Sequence, residues 1–166
     1  MKRISLMAVV VVGLIAVSSW ASSSVTETWL PVVKFSGTIT DHDGLRTPVT
    51  VPTNGLEVLI AEEDATGEAD VELVEISGTT TNVLMDGIAA VIHKTHTLVG
   101  ITDGAFTPTG WTTNFECTLE WVGNRSGSKS NGTPTTLNVK LSGFGTTNTM
   151  FSVFTGILLA KTPKVR

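Results

Sequence analysis

Over residues 114–122 apolar and polar side chains alternate up to Trp121. Phe115, Cys117, Leu119 and Trp121 take one phase; Glu116, Thr118 and Glu120 take the other. A period of two sends successive side chains to opposite faces, so the segment predicts a half-buried β-strand. Residues 135–143 repeat the pattern with Leu137, Val139 and Leu141 inward. Over residues 29–40, Val33, Phe35 and Ile39 oppose Lys34, Ser36 and Thr38. Short strands are expected at residues 47–51, 56–61 and 71–77, with Pro48 and Pro52 confining the first of them to a sheet edge. Residues 41–46 read as a turn and residues 62–70 as an acidic loop.

Residues 82–96 carry two patterns at once. Leu84, Ile88, Val91 and Ile92 fit one helical face. Asp86-Gly87 interrupts them, and Asp-Gly between apolar segments favours a hairpin turn, while glycine costs about 1 kcal/mol inside a helix. A hairpin is the expectation. Asp103-Gly104, between residues 98–102 and 105–107, predicts a second one. Residues 123–134 (GNRSGSKSNGTP) read as a long, polar, exposed loop.

The last apolar segment, residues 149–161, has no polar phase. Phe151, Val153, Ile157 and Leu159 lie on one face, and Met150, Phe154 and Leu158 on the other. Such a strand is either central between two layers or covered by a partner. Phe154-Thr155-Gly156 also echoes Phe35-Ser36-Gly37 near the start of the chain. Both place a glycine two residues after a phenylalanine, where a strand can bend sharply. If these two strands pair, the sheet closes on itself and loses its edges. The regular run of short strands predicts an all-β domain, a small antiparallel β-barrel or β-sandwich of about eight to ten strands.

Residues 1–21 stand apart from this pattern. Met1, Lys2 and Arg3 precede an apolar run over residues 4–17, and Ser19-Trp20-Ala21 ends it with small residues at the positions a signal peptidase reads. That is the form of a cleavable signal peptide, a short helix removed after Ala21. Fourteen helical residues reach roughly 21 Å, short of the ~30 Å of a hydrocarbon core. The expectation is a protein exported to the periplasm or beyond the cell, with residues 22–166 as one domain. No stable membrane insertion is expected after cleavage, since terminal and girdle aromatics of an outer-membrane barrel are missing.

Cleavage would remove Lys2 and Arg3 from the 11 basic residues, leaving 9 against 15 acidic ones, a net charge of −6. An acidic chain without a basic face is a poor ligand for nucleic acid. Acids crowd residues 57–75, whereas residues 122–166 contain none and include Arg125, Lys129, Lys140 and Lys161. This asymmetry admits self-association, acidic surface against basic surface. Cys117 is the lone cysteine, so no internal disulfide forms, and its period-two position makes it a small core residue.

No residue is assigned a catalytic role: there is no G-x-S-x-G, and no acid or serine is marked by its surroundings. Asp41 and Asp43, two carboxylates before Gly44, are the candidate metal ligands, for Ca²⁺; Leu45 and Pro52 break the EF-hand spacing. No other cofactor is implied. His93 and His96 lack the further ligands of a zinc site. With Tyr absent, Trp111 is the aromatic placed best for a binding contact. Arg125 and Lys129, in the expected loop, are the candidate basic contacts. Together these point to an exported, non-enzymatic structural or interaction module, its partner an unknown protein. The alternatives are a carrier holding a small apolar ligand inside a barrel and a hydrolase with an unrecognised site.

Overall fold

The computed structural model describes residues 24–64, 66–128, 134–147 and 150–162. The expected leader helix, residues 1–21, and Lys129 lie outside the described residues. Among the described residues nine strands follow one another: β1 Val25–Asp41, β2 Arg46–Thr50, β3 Leu56–Glu63, β4 Glu68–Ser77, β5 Thr80–Ile92, β6 Thr97–Phe106, β7 Phe115–Ser128, β8 Pro134–Thr147 and β9 Met150–Lys161. A single 3-10 turn, His93–Thr95, joins β5 to β6. The sheet order is β2-β1-β3-β4-β5-β6-β7-β8-β9, and β9 also pairs with β1. Eight strands therefore close into an antiparallel barrel, and β2 is an extra strand on β1. The barrel alternative of the two expected architectures is the correct one.

The closure falls where the sequence echo places it. Gly37 and Gly156 are direct partners in the β1–β9 ladder. A Cβ on Gly37 would lie 2.6 Å from the Phe154 ring, and one on Gly156 would lie 2.5 Å from it. The two glycines make room for that ring. Phe154 packs with Phe35, Phe106 and Phe115, with Phe106 at the centre: its ring centroid is 4.9 Å from Phe35, 5.4 Å from Phe154 and 5.6 Å from Phe115.

β1 serves both sides of the closure. Its first part, from Val25 to Pro31, pairs with β3, and its second part, from Val32 to Asp41, pairs with β9. The register shifts between Val32 and Lys34. This bulge changes the inward phase from Leu30 and Val32 to Phe35 and Ile39, all buried. Val33, expected inward, is therefore exposed. β2 pairs with β1 alone, as the two prolines require of an edge strand.

Two of the expected hairpins do not exist. Asp86-Gly87 and Asp103-Gly104 both lie mid-strand, in β5 and β6, and Asp86 faces Asp103 across the ladder. These glycines answer a packing need. A Cβ on Gly87 would meet the Ile101 carbonyl oxygen at 2.0 Å, and one on Gly104 the Leu84 carbonyl at 2.0 Å. In a strongly coiled small barrel, inward glycines let neighbouring backbones approach. The true hairpin is at Gly78, which has φ +62° and connects the paired residues Ser77 and Thr80.

The expected acidic loop, residues 62–70, is shorter too. β3 runs to Glu63 and β4 begins at Glu68, so both ends of the expected loop are strand. β7 runs to Ser128 and β8 begins at Pro134, so much of the expected loop 123–134 is strand; residues 129–133 lie outside the described residues.

Candidate functional site

The barrel interior is the first place to look for a site, and it is packed. Phe115, Leu119 and Trp121 of β7, Leu137, Val139 and Leu141 of β8 and Leu158 of β9 fill it together with the phenylalanine cluster. The Trp121 indole N–H donates to Thr102 Oγ1 at 2.5 Å, satisfying its one polar atom inside the core. Cys117 is part of this filling. Burial, and then the charge of Asp103, pushes its thiol up to about 12 from 9.0, so it remains protonated and inert.

One end of the barrel carries a buried ion pair. Glu62 continues the inward phase of Leu56, Val58 and Ile60, and Arg125 continues that of Phe115 to Trp121. Both are buried. Arg125 Nη1 lies 2.7 Å from Glu62 Oε2, and His93 Nε2 lies 3.1 Å from Glu62 Oε1. The Arg125 backbone N–H donates to the His96 carbonyl at 2.8 Å, and His96 has a left-handed φ of 54°. The 3-10 turn is thus drawn down over the barrel end by one side-chain and one backbone contact. A His–Glu pair is the start of a hydrolytic dyad, but among the described residues no hydroxyl or thiol hydrogen-bonds to His93. Among the described residues the cluster ties the turn to the barrel and has no nucleophile beside it.

The outer wall holds the more unusual feature. Ile88 and Ile101 are direct partners across β5 and β6, as are Ala90 and Val99. With Gly100 they floor an external groove of about 530 Å³. Ile88 is 72% exposed and Ile101 55%. Carboxylates border it: Glu68 faces Ala90 across β4–β5, Asp70 faces Ile88, and Asp86 faces Asp103. Asp86 also faces Glu72, so three carboxylates stand side by side on three strands. Like charges directly opposite one another destabilise a sheet. Thr118 Oγ1 donates to Asp103 at 2.5 Å and relieves part of this. Among the described residues, no three acids, histidines or cysteines gather as a metal site. A larger depression, about 590 Å³ between Leu84 and Phe144, is shallower and more polar.

The residues singled out in the sequence are dispersed. Asp41 Oδ1 accepts the backbone N–H groups of Asp43 and Leu45, at 3.0 and 2.8 Å, so it holds its own turn. Asp43 lies beside His42, 3.3 Å from its Nε2. Trp111 is half-buried against the core. Arg125 points into the barrel and not outward. Sequence reasoning missed Glu62, Ile88 and Ile101. Extending the period-two phase of β3 by one step would have found Glu62. The isoleucines were hidden by the hairpin reading of Asp86-Gly87. Compared with protein-family models and with curated proteins, the sequence matches none.

Proposed function

We propose that this chain is an exported interaction module that binds a protein partner through the outer wall of its barrel, at the Ile88–Ile101 groove. The observation that carries this reading is an apolar, acid-bordered groove outside a barrel whose inside is full. Exposed isoleucines cost free energy in water, and the adjacent carboxylates repel one another. A segment with apolar side chains flanked by lysines or arginines relieves both.

The carrier alternative needs an enclosed apolar cavity, and the phenylalanine cluster and Trp121 occupy that space. An outer-membrane barrel inverts this plan, with a polar lumen and an apolar belt outside. Here the inside is apolar, and Glu72, Asp86 and Asp103 sit on the outside. Among the described residues no helix is long and apolar enough to cross a membrane.

The test uses a synthetic peptide of alternating lysine and isoleucine, added to isotopically labelled protein at low salt. Amide signals of β5 and β6 are expected to shift, and the shifts to vanish in Ile88→Glu. Shifts confined to other strands, or none, would reject the groove. Native mass spectrometry of the purified protein provides the second arm: a mass without adduct agrees with the module, and a stoichiometric apolar ligand would establish the carrier.

A further inference from the structure

We infer that the partner of the groove is a second copy of this chain, which presents the lysine-flanked apolar strip of β9 and β8. The inference rests on the groove reading above and adds the occupant. Its basis is the two-sided apolar strand β9. Phe154, Leu158 and Ala160 point into the core. A barrel has a single layer, so no second sheet covers the other face. Phe151 is 56% exposed, Val153 and Ile157 are also exposed, and Phe144 of β8 is 55% exposed. The rings of Phe144 and Phe151 stack at 6.0 Å, which gives the strip a flat aromatic end.

The charges on the two walls are opposite. On the strands β3, β4, β5 and β6 themselves every charged side chain facing outward is an acid; the one lysine in this span, Lys94, sits in the turn between β5 and β6. β8 and β9 carry Lys140 and Lys161 and no acid, and Lys34 stands on the adjoining part of β1. Lys140 is the direct partner of Ile157, and Lys34 of Leu159, so the lysines flank the apolar strip as the acids flank the groove. Each wall repels its own copy, which disfavours a two-fold dimer through either face. Groove against strip is the complementary arrangement.

The barrel order fixes the consequence. In an eight-strand ring the β8–β9 strip is centred three strands from the β5–β6 groove, so the two faces lie on different, nearly opposite walls. A head-to-tail contact between these walls uses both faces of every copy and leaves one free at each end. Such contacts grow into open chains unless their rotation closes a ring.

The test is sedimentation velocity with light scattering on protein expressed from its full sequence and purified as the cell leaves it. At low salt the weight-average mass is expected to rise with concentration beyond one copy, and to return to one copy in about 1 M salt, where screening acts within ~3 Å. Two charge-reversal variants, Asp86→Lys with Asp103→Lys and Lys34→Glu with Lys140→Glu, alter only outward side chains. Each alone is expected to associate at least tenfold more weakly. An equimolar mixture is expected to regain association, because each reversed face then meets an opposite one. A parent protein that stays monomeric at all concentrations in low salt overturns the proposal, as does a mixture no larger than its components. If either reversal fails to fold by circular dichroism, Ile88→Ser and Ile157→Ser replace them, each expected to yield monomer. Peptide binding at β5–β6 by a strictly monomeric chain would reject the second copy and leave the groove standing.

Discussion

A guanidinium and a carboxylate 2.7 Å apart, both largely withdrawn from water, are tolerable only as a pair. Removing one partner leaves the other charge buried, which costs about 3–5 kcal/mol. Arg125→Met is therefore expected to lower the urea-unfolding free energy by about that amount. Arg125→Met together with Glu62→Leu removes both charges and should recover most of the loss, since apolar replacement of a whole buried pair is often neutral. Equal losses in the single and double variants would mean that the pair does not act as a unit. Cys117 yields a second prediction at this scale. Its folded thiol ionises near 12 and an ordinary one near 9.0. Below both values the protonation states match and the thiol contributes no pH dependence. Above about 9 the unfolded chain loses its proton first, so stability falls as pH rises toward 12. Cys117→Ala should remove that part of the alkaline decline in unfolding titrations. A thiol that reacts with Ellman's reagent at pH 8 as fast in folded as in unfolded protein would contradict the burial.

At the scale of elements, the two Asp-Gly pairs show how one residue type serves two physical ends. In a hairpin, glycine supplies a left-handed φ, as Gly78 does here. In β5 and β6 it supplies the absence of a Cβ. The two roles predict opposite signs for substitution. In an ordinary strand, Gly→Ala gains roughly 0.5–1 kcal/mol from reduced backbone entropy. At Gly87 the added carbon would lie 2.0 Å from the Ile101 carbonyl oxygen, so Gly87→Ala should destabilise by about 1–3 kcal/mol. A stabilised Gly87→Ala in thermal unfolding would show that the strands have room to part. The strands without such conflicts were legible: the inward residues of β7 and β8 are those that alternation assigns. The β1 bulge was not, because an inserted residue changes phase only when a partner strand defines the register.

For the whole molecule, closure determines which strands are protected. β9 and β1 are terminal in sequence but interior to the sheet, each flanked on both sides. Among the described strands β2 alone has an open edge. In native-state hydrogen exchange, amides of β2 are expected to exchange faster than those of β1 and β9, whose protection should approach that of global unfolding. Fast exchange along β9 would mean that the barrel opens at its seam. Closure also turns the apolar excess of β9 outward, so the same event that stabilises the fold creates the surface proposed for self-association. The filled interior, for its part, is why the proposed binding is sought on the outside of the barrel.

The all-β class, the phases of the cleanest strands and the edge role of β2 follow from the sequence by itself, which offers the pairing of first and last strands only as a hypothesis. They depend on local periodicity, proline's missing donor and a repeated Phe-x-Gly, all of which are carried within short windows. The tertiary structure alone decided that Asp86-Gly87 and Asp103-Gly104 run straight, that Glu62 meets Arg125 across 63 residues of chain, and that the isoleucines of β5 and β6 form an acid-bordered groove. Each of these depends on which strand lies alongside which. That neighbourhood is set by barrel closure, and no local pattern records it.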